Sequence, residues 1–300
     1  MTVLQLLSHV SNLNYTRKKL QGGQQGHHLI ELLQMFRNLE STRDRDQLFA
    51  FWGLARGSLP TPNYECSTRT VYIDIARWLL EDTQNLLLLS MGLRSDHRLP
   101  SWVPDWSSKL SFESNAWRRR LHCLEVYDSA KHLECSIKFE DPETLCLQGV
   151  KVGGIAEVAK QTLTSDDSAE HTALIRSWQD FAGLSTTEQP LPSYFAETMI
   201  EGCCPHGSSG FPAANASDIE LSREMLVHLV AEEEFSDNTG EFMSVRQNHL
   251  TALWERALFR TGKDTGRRLG LGPVGLQADD ELWVVRHRRT QPIMMSETLC

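Results

Sequence analysis

An α+β fold is what this sequence predicts, on three observations. Helical periodicity fills roughly the first 90 residues and returns over residues 168–260. Alternating, glycine-punctuated segments lie between these stretches and after them. No βαβ rhythm and no internal repeat connects the pieces. The strand-like pieces, about 132–160 and 266–295, are expected to form one small, mostly antiparallel sheet. The expected division is a helical region at 1–107 and a sheet region at 108–300, the latter carrying a helical insertion at about 168–260.

Each element has a local reason. HHLIELLQMFRNLE places Leu29, Leu32, Leu33, Phe36 and Leu39 on one helical face. DRDQLFAFWGLARG reads as a helix with Asp44 or Asp46 as its acidic start and Gly57 as its stop. STRTVYIDIARWLLEDT is capped by Ser67 or Thr68 and lines Val71, Ile75, Trp78 and Leu79 along one side. The intervening SLPTPNYECS is a loop, because Pro60 and Pro62 block regular hydrogen bonding. KHLECSIKFE and TLCLQGVKVGGIAEVA alternate apolar and polar residues as strands do. AEHTALIRSWQDFAGL, PSYFAETMIEGCC and SDIELSREMLVHLVAEEEF are helical, with CPHGSSGFPAANAS (Cys204 to Ser217) as a linker. ELWVVRHRR and TQPIMM close the chain as short strands.

Composition narrows the classes of function. Apolar residues at 40% and charged residues at 23% are ordinary for a globular protein. A formal charge of −9 opposes a surface built for nucleic acid or anionic membrane. The longest apolar run, NLLLLSMGL (Asn85 to Leu93), is about half of what a membrane span needs. The N-terminus lacks the basic start and cleavage site of a secretory signal. Seven cysteines without regular spacing fit a reduced, cytoplasmic protein. The sequons at Asn14 and Asn215 are therefore expected to stay unmodified. SETLC places Cys300 last and not fourth from the end, so prenylation is not expected.

Candidate chemistry is thin. GLGPVG (Gly270, Gly272, Gly275) matches the dinucleotide pattern G-x-G-x-x-G, but no strand precedes it and no helix follows. A turn between strands is expected instead. Cys203, Cys204 and His206 lack the further ligands a tetrahedral metal site needs, and His122, Cys123 and Cys135 lie in other segments. A cysteine nucleophile paired with one of the 11 histidines is left open, because triads are spatial. GSSG (Gly207 to Gly210) is not a nucleophile elbow. Trp117 to Arg120 and Arg286 to Arg289 form basic clusters better suited to blunting strand edges than to reading nucleic acid. AEEEF (Ala231 to Phe235) reads as a solvated helix end. No metal, cofactor or catalytic residue is expected.

The densest segment is LPSWVPDWS, Leu99 to Ser107. Trp102, Trp106 and Asp105 would suit a sugar-binding platform if the rings were exposed. Pro100 and Pro104, however, fix the backbone at a junction between helical and strand-like regions. The expectation is a structural signature of Pro100, Trp102, Pro104, Asp105 and Trp106, with buried rings and Asp105 capping backbone N–H groups.

In order, TRDRDQLFAFWGLA, PNYECSTRTVYIDIARWLLE and LPSWVPDWS resemble the region that follows the core of fungal heterokaryon-incompatibility (HET) domain proteins. The family's first segment reads like T-D-P-R-D-x-V-Y-A-L-L-G-L-A, its second like P-D-Y-S…V-Y…A-x-W, and its third is nearly as here. TLCLQGVKVGGIAEVA and GLGPVGLQADDELWVV…QPIMM are similar to its two C-terminal strand pieces. The likeness runs from about Ser41 to Met295. Arg43-Asp44 stand where the family has Asp-Pro, and Asn63 replaces its aspartate. The family core, with A-L-S-Y-x-W-G-like and W-I-D-x-x-C-I-N-Q-like segments, has no counterpart here. That core has been likened to the TIR fold, which in some proteins cleaves NAD, so no catalytic residue carries over.

The resemblance implies a truncated, non-catalytic, cytoplasmic HET-like protein of allorecognition or cell-death signalling. Such a protein would act through an unidentified protein partner, with a small-molecule ligand left open. The alternative is an enzyme or accessory protein of a fungal secondary-metabolite pathway.

Overall fold

The computed structural model describes residues 10, 13–14, 16–18, 27–37, 39–84, 86–91, 98–108, 136–184, 191–204, 212–231 and 240–285. These fall into two compact units: residues 10–108 with 136–148, and residues 149–285. The fold is α+β, and its sheets are antiparallel. The basic clusters at 117–120 and 286–289, the GSSG segment, His122, Cys123, Cys135, His206 and the expected strand at 290–295 lie outside the described residues.

Helices carry much of the first unit's buried apolar surface. α1 (Leu29–Met35) buries Leu29, Leu32 and Leu33, with Phe36 just beyond its end. α3 (Thr68–Thr83) begins where Ser67 accepts a hydrogen bond from Thr70 N at 3.1 Å, a conventional N-cap. Its buried stripe runs Val71, Tyr72, Ile75, Ala76, Leu79 and Leu80. It ends at Gln84, which takes a left-handed conformation.

α2 (Asp46–Phe49) is a single turn, much shorter than the helix expected there. The aromatic residues after it are claimed by tertiary packing. Phe51 stacks on Phe36 at 5.2 Å, Phe49 meets Trp52 edge-on at 5.2 Å, and Trp52 donates to Pro60 O at 2.7 Å. Ala55 pairs with His27 in an isolated bridge. Side-chain burial therefore overrides the local helical preference.

β1 (Ile137–Phe139) and β2 (Leu145–Leu147) form a hairpin that belongs to this unit. Its turn is organised by Asp141, whose carboxylate accepts from Glu143 N at 2.7 Å and from Thr144 N at 2.9 Å. These bonds hold the Asp141 carboxyl below its usual range.

The second unit holds a four-stranded sheet of β3 (Gly149–Val158), β4 (Arg256–Thr261), β5 (Leu269–Pro273) and β6 (Glu281–Val285), in the order β5-β4-β3-β6. The strand-like segments thus divide between two sheets where one was expected. β4 also falls within the stretch expected to be helical. As a central strand it is buried on both faces, so it shows no alternation to distinguish it from a helix.

Four helices, α4 (Ser168–Ala182), α5 (Ser193–Met199), α6 (Ala216–Ala231) and α7 (Gly240–Leu253), accompany this sheet. Leu174, Ile175, Trp178, Phe195, Met199, Leu226, Leu253 and Leu258 form its apolar core. No helix among the described residues is long and apolar enough to cross a membrane.

Two sequence motifs receive plain structural explanations. GLGPVG is the strand β5 followed by a turn in which Gly275 has φ +97°. Asn215 caps α6, its Oδ1 accepting from Ser217 N at 2.8 Å and Asp218 N at 3.0 Å.

α4 has the most complete cap. Asp167 accepts from Ala169 N and Glu170 N, while Glu170 reaches back to Thr164 N at 3.1 Å. Asp167→Ala is expected to cost about 1 kcal/mol in chemical denaturation, with the loss concentrated in the second unit.

Candidate functional site

The tryptophan segment lies inside the first unit. Trp102 is 7% exposed, Trp106 2% and Asp105 2%. Val103 N donates to Pro100 O at 2.9 Å and Ser108 N to Asp105 O at 3.2 Å, two turns that fold the segment back on itself. Pro100 and Pro104 suit this path because neither can offer an N–H to a competing ladder. Asp105 Oδ1 accepts from Ser107 N at 3.0 Å and from the Ser107 hydroxyl. The carboxylate therefore organises its own turn.

Each indole has a defined neighbour. Trp102 Nε1 donates to Glu143 O at 2.7 Å, and its ring meets Phe139 at 5.3 Å, joining the segment to the hairpin. The Arg77 guanidinium lies over the Phe139 ring, 4.6 Å from its centre, and Arg69 pairs with Glu143 at 2.7 Å. Trp106 meets the Tyr72 ring edge-on at 5.1 Å. The Tyr72 hydroxyl in turn donates to Asp44 O at 3.0 Å.

Arg37, just past α1, completes this buried set. Its Nε donates to Ser108 O at 3.1 Å and its Nη2 to Asp105 O. Burial pushes the Arg37 guanidinium down to about 10, against the opposing pull of Asp105. Burial, reinforced by the negative charge of Asp105, raises the Tyr72 phenol. One cation, one anion and one phenol share a water-poor space, and both rings of the motif are walled into it. Rings so placed present no open stacking face to a sugar.

A second polar cluster occupies the core of the second unit. Ser222 Oγ of α6 lies 2.9 Å from His249 Nε2 of α7 and 3.1 Å from Ala196 O of α5. His171 of α4 meets His249 edge-on, with ring centres 6.0 Å apart. Ser222, His171 and His249 are each 0% exposed. Beside them, Asn248 Nδ2 donates to Cys203 O at 3.3 Å and approaches Cys204 Sγ at 3.6 Å. No group of three or more metal-ligating side chains forms among the described residues.

The sequence pointed to the tryptophan segment but to none of Arg37, Tyr72, His171, Ser222 or His249. A signal existed for His171. With Leu174, Ile175 and Trp178 it keeps i, i+3, i+4, i+7 spacing, which puts a polar ring on an apolar stripe. No family model, no curated protein and no solved structure matches the chain.

Trp102→Ala and Trp106→Ala are each expected to cost about 3–5 kcal/mol, read from denaturant midpoints at constant slope. Arg37→Leu is expected to cost a similar ~3–5 kcal/mol, because it removes the cation beside the buried Asp105 and two hydrogen bonds to the segment's backbone. A loss below 1 kcal/mol for Arg37→Leu would mean that water reaches Asp105.

Proposed function

We propose that this chain is a non-catalytic, cytoplasmic relative of the HET family that works through protein contacts in allorecognition or cell-death signalling. It resembles the region C-terminal to the family core. The observation that supports this best is how the three family-like strings meet. Tyr72, in the V-Y position of the second string, donates to Asp44 O of the first and packs its ring against Trp106 of the third. Strings separated by tens of residues thus share one phenol, as parts of a common structural unit would.

The polar groups add support. Asp105 is bound to its own turn and Arg37 to backbone carbonyls, an arrangement suited to holding shape. The partner is then a protein surface, with nucleic acid disfavoured by the net charge of −9. The purified chain, incubated with NAD and followed by chromatography, is expected to leave the nucleotide intact. Turnover that a single substitution in this chain abolishes overturns the non-catalytic reading.

One observation favours a second reading, an enzyme or accessory protein of a secondary-metabolite pathway. The Ser222–His249 hydrogen bond pairs an oxygen nucleophile with a base. That reading requires an organophosphonate to label Ser222 in the folded chain; complete burial of both groups predicts no labelling.

A further inference from the structure

We propose that the facing imidazoles of His171 and His249 make the helical layer of the second unit an acid-sensitive element, locked while His171 is neutral and loosened when it takes a proton.

The geometry begins with His249. Its Nε2 is tied to Ser222, and Ser222 also contacts Ala196 O. Ser222 has one proton to give. When that proton goes to Ala196 O, the Nε2–H of His249 must be the donor to Ser222 Oγ. One ring on α7 thereby links α6 and, through Ser222, α5.

His171 brings α4 to the same point, with its ring at 88° to His249 and fully buried. Both of its nitrogens are sealed from solvent without a hydrogen-bond partner. A neutral imidazole tolerates this at the expense of two desolvated polar atoms. A charged one places an uncompensated cation in the core.

Among the described residues, no carboxylate is paired with that ring. From α7, His171 faces Arg246 and His249, the first already cationic. From α5 and α6, the Ala196 carbonyl and the Ser222 hydroxyl join the cluster, and both are uncharged. The carboxylates nearest in sequence serve the start of α4: Asp167 caps Ala169 and Glu170, and Glu170 holds Thr164 and Ser165. Asp166 is exposed, and its carbonyl accepts from Arg246.

Burial first, and Arg246 second, hold His171 down to about 4 from an ordinary 6.5. The sign follows directly. The opened unit binds a proton below pH 6.5 that the closed unit refuses until about pH 4, so closure is favoured above 6.5 and weakens as pH falls between these values. Because α4 also supplies Leu174, Ile175 and Trp178 to the core, opening at His171 exposes apolar surface.

The test is amide hydrogen exchange over α4 and α7 in the full chain at pH 7 and pH 4.5, corrected for intrinsic exchange. His171→Leu serves as the reference, since other carboxylates titrate in both proteins. The wild-type opening equilibrium is expected to rise roughly 50-fold more than that of the variant. Parallel changes in the two proteins overturn the proposal. Should His171→Leu fail to fold, His171→Gln replaces it as the uncharged reference. A ring-nitrogen NMR titration of the wild-type chain decides independently. Protonation of His171 only as α4 loses protection supports the proposal, and protonation near pH 6.5 with α4 still protected overturns it.

Discussion

Arg37 donates to two backbone carbonyls of a segment about 70 residues away, and much of the first unit follows from that grip. The Asp105 carbonyl already accepts from Ser108 N, and Arg37 adds a second donor to it and one to the Ser108 carbonyl. A guanidinium satisfies both through its fork of donors while remaining opposite the Asp105 carboxylate. With the segment's backbone pinned, Trp106 reaches Tyr72 and Trp102 reaches the hairpin. Neither a lysine nor a neutral amide would meet two carbonyls and a charge from the end of α1. The constraint is therefore geometric as well as electrostatic.

Burial of polar groups is also what separates the legible parts of the fold from the illegible ones. α3 was readable because its cap, stripe and end all agree: Ser67 begins it, Val71 to Leu80 line it, and Gln84 ends it. α2 was not, since Phe49, Phe51 and Trp52 have the composition of a helix and the packing of a knot of aromatic rings. β4 misled for the opposite reason. Surrounded on both faces, Ala257, Leu258 and Phe259 form a continuous apolar run. The α+β class survived both, because it rests on where periodicities change rather than on where each element ends.

The candidate sites show the same asymmetry. LPSWVPDWS stands out by composition, and its burial follows from large rings on a stiffened backbone. Ser222 and His249 stand out only once α6 and α7 are brought together, since 27 residues separate them. His171 was accessible in principle, as a ring out of place on an apolar stripe. The proposed kinship with HET proteins rests on the strings themselves, and the Tyr72 contacts that join them emerge only in the folded chain.

The glycines of β5 carry a different implication. A Cβ built on Gly270 would sit 2.5 Å from the Phe259 ring, and one on Gly272 would meet both that ring and Leu276. The pattern that imitates a nucleotide fingerprint is thus the imprint of one phenyl group lying across the neighbouring strand. Positions 259, 270 and 272 form a single volume, and any lineage that enlarges one must shrink another. Covariation among these three positions is therefore a trace this sheet would leave in its relatives, even where little else in the sequence persists.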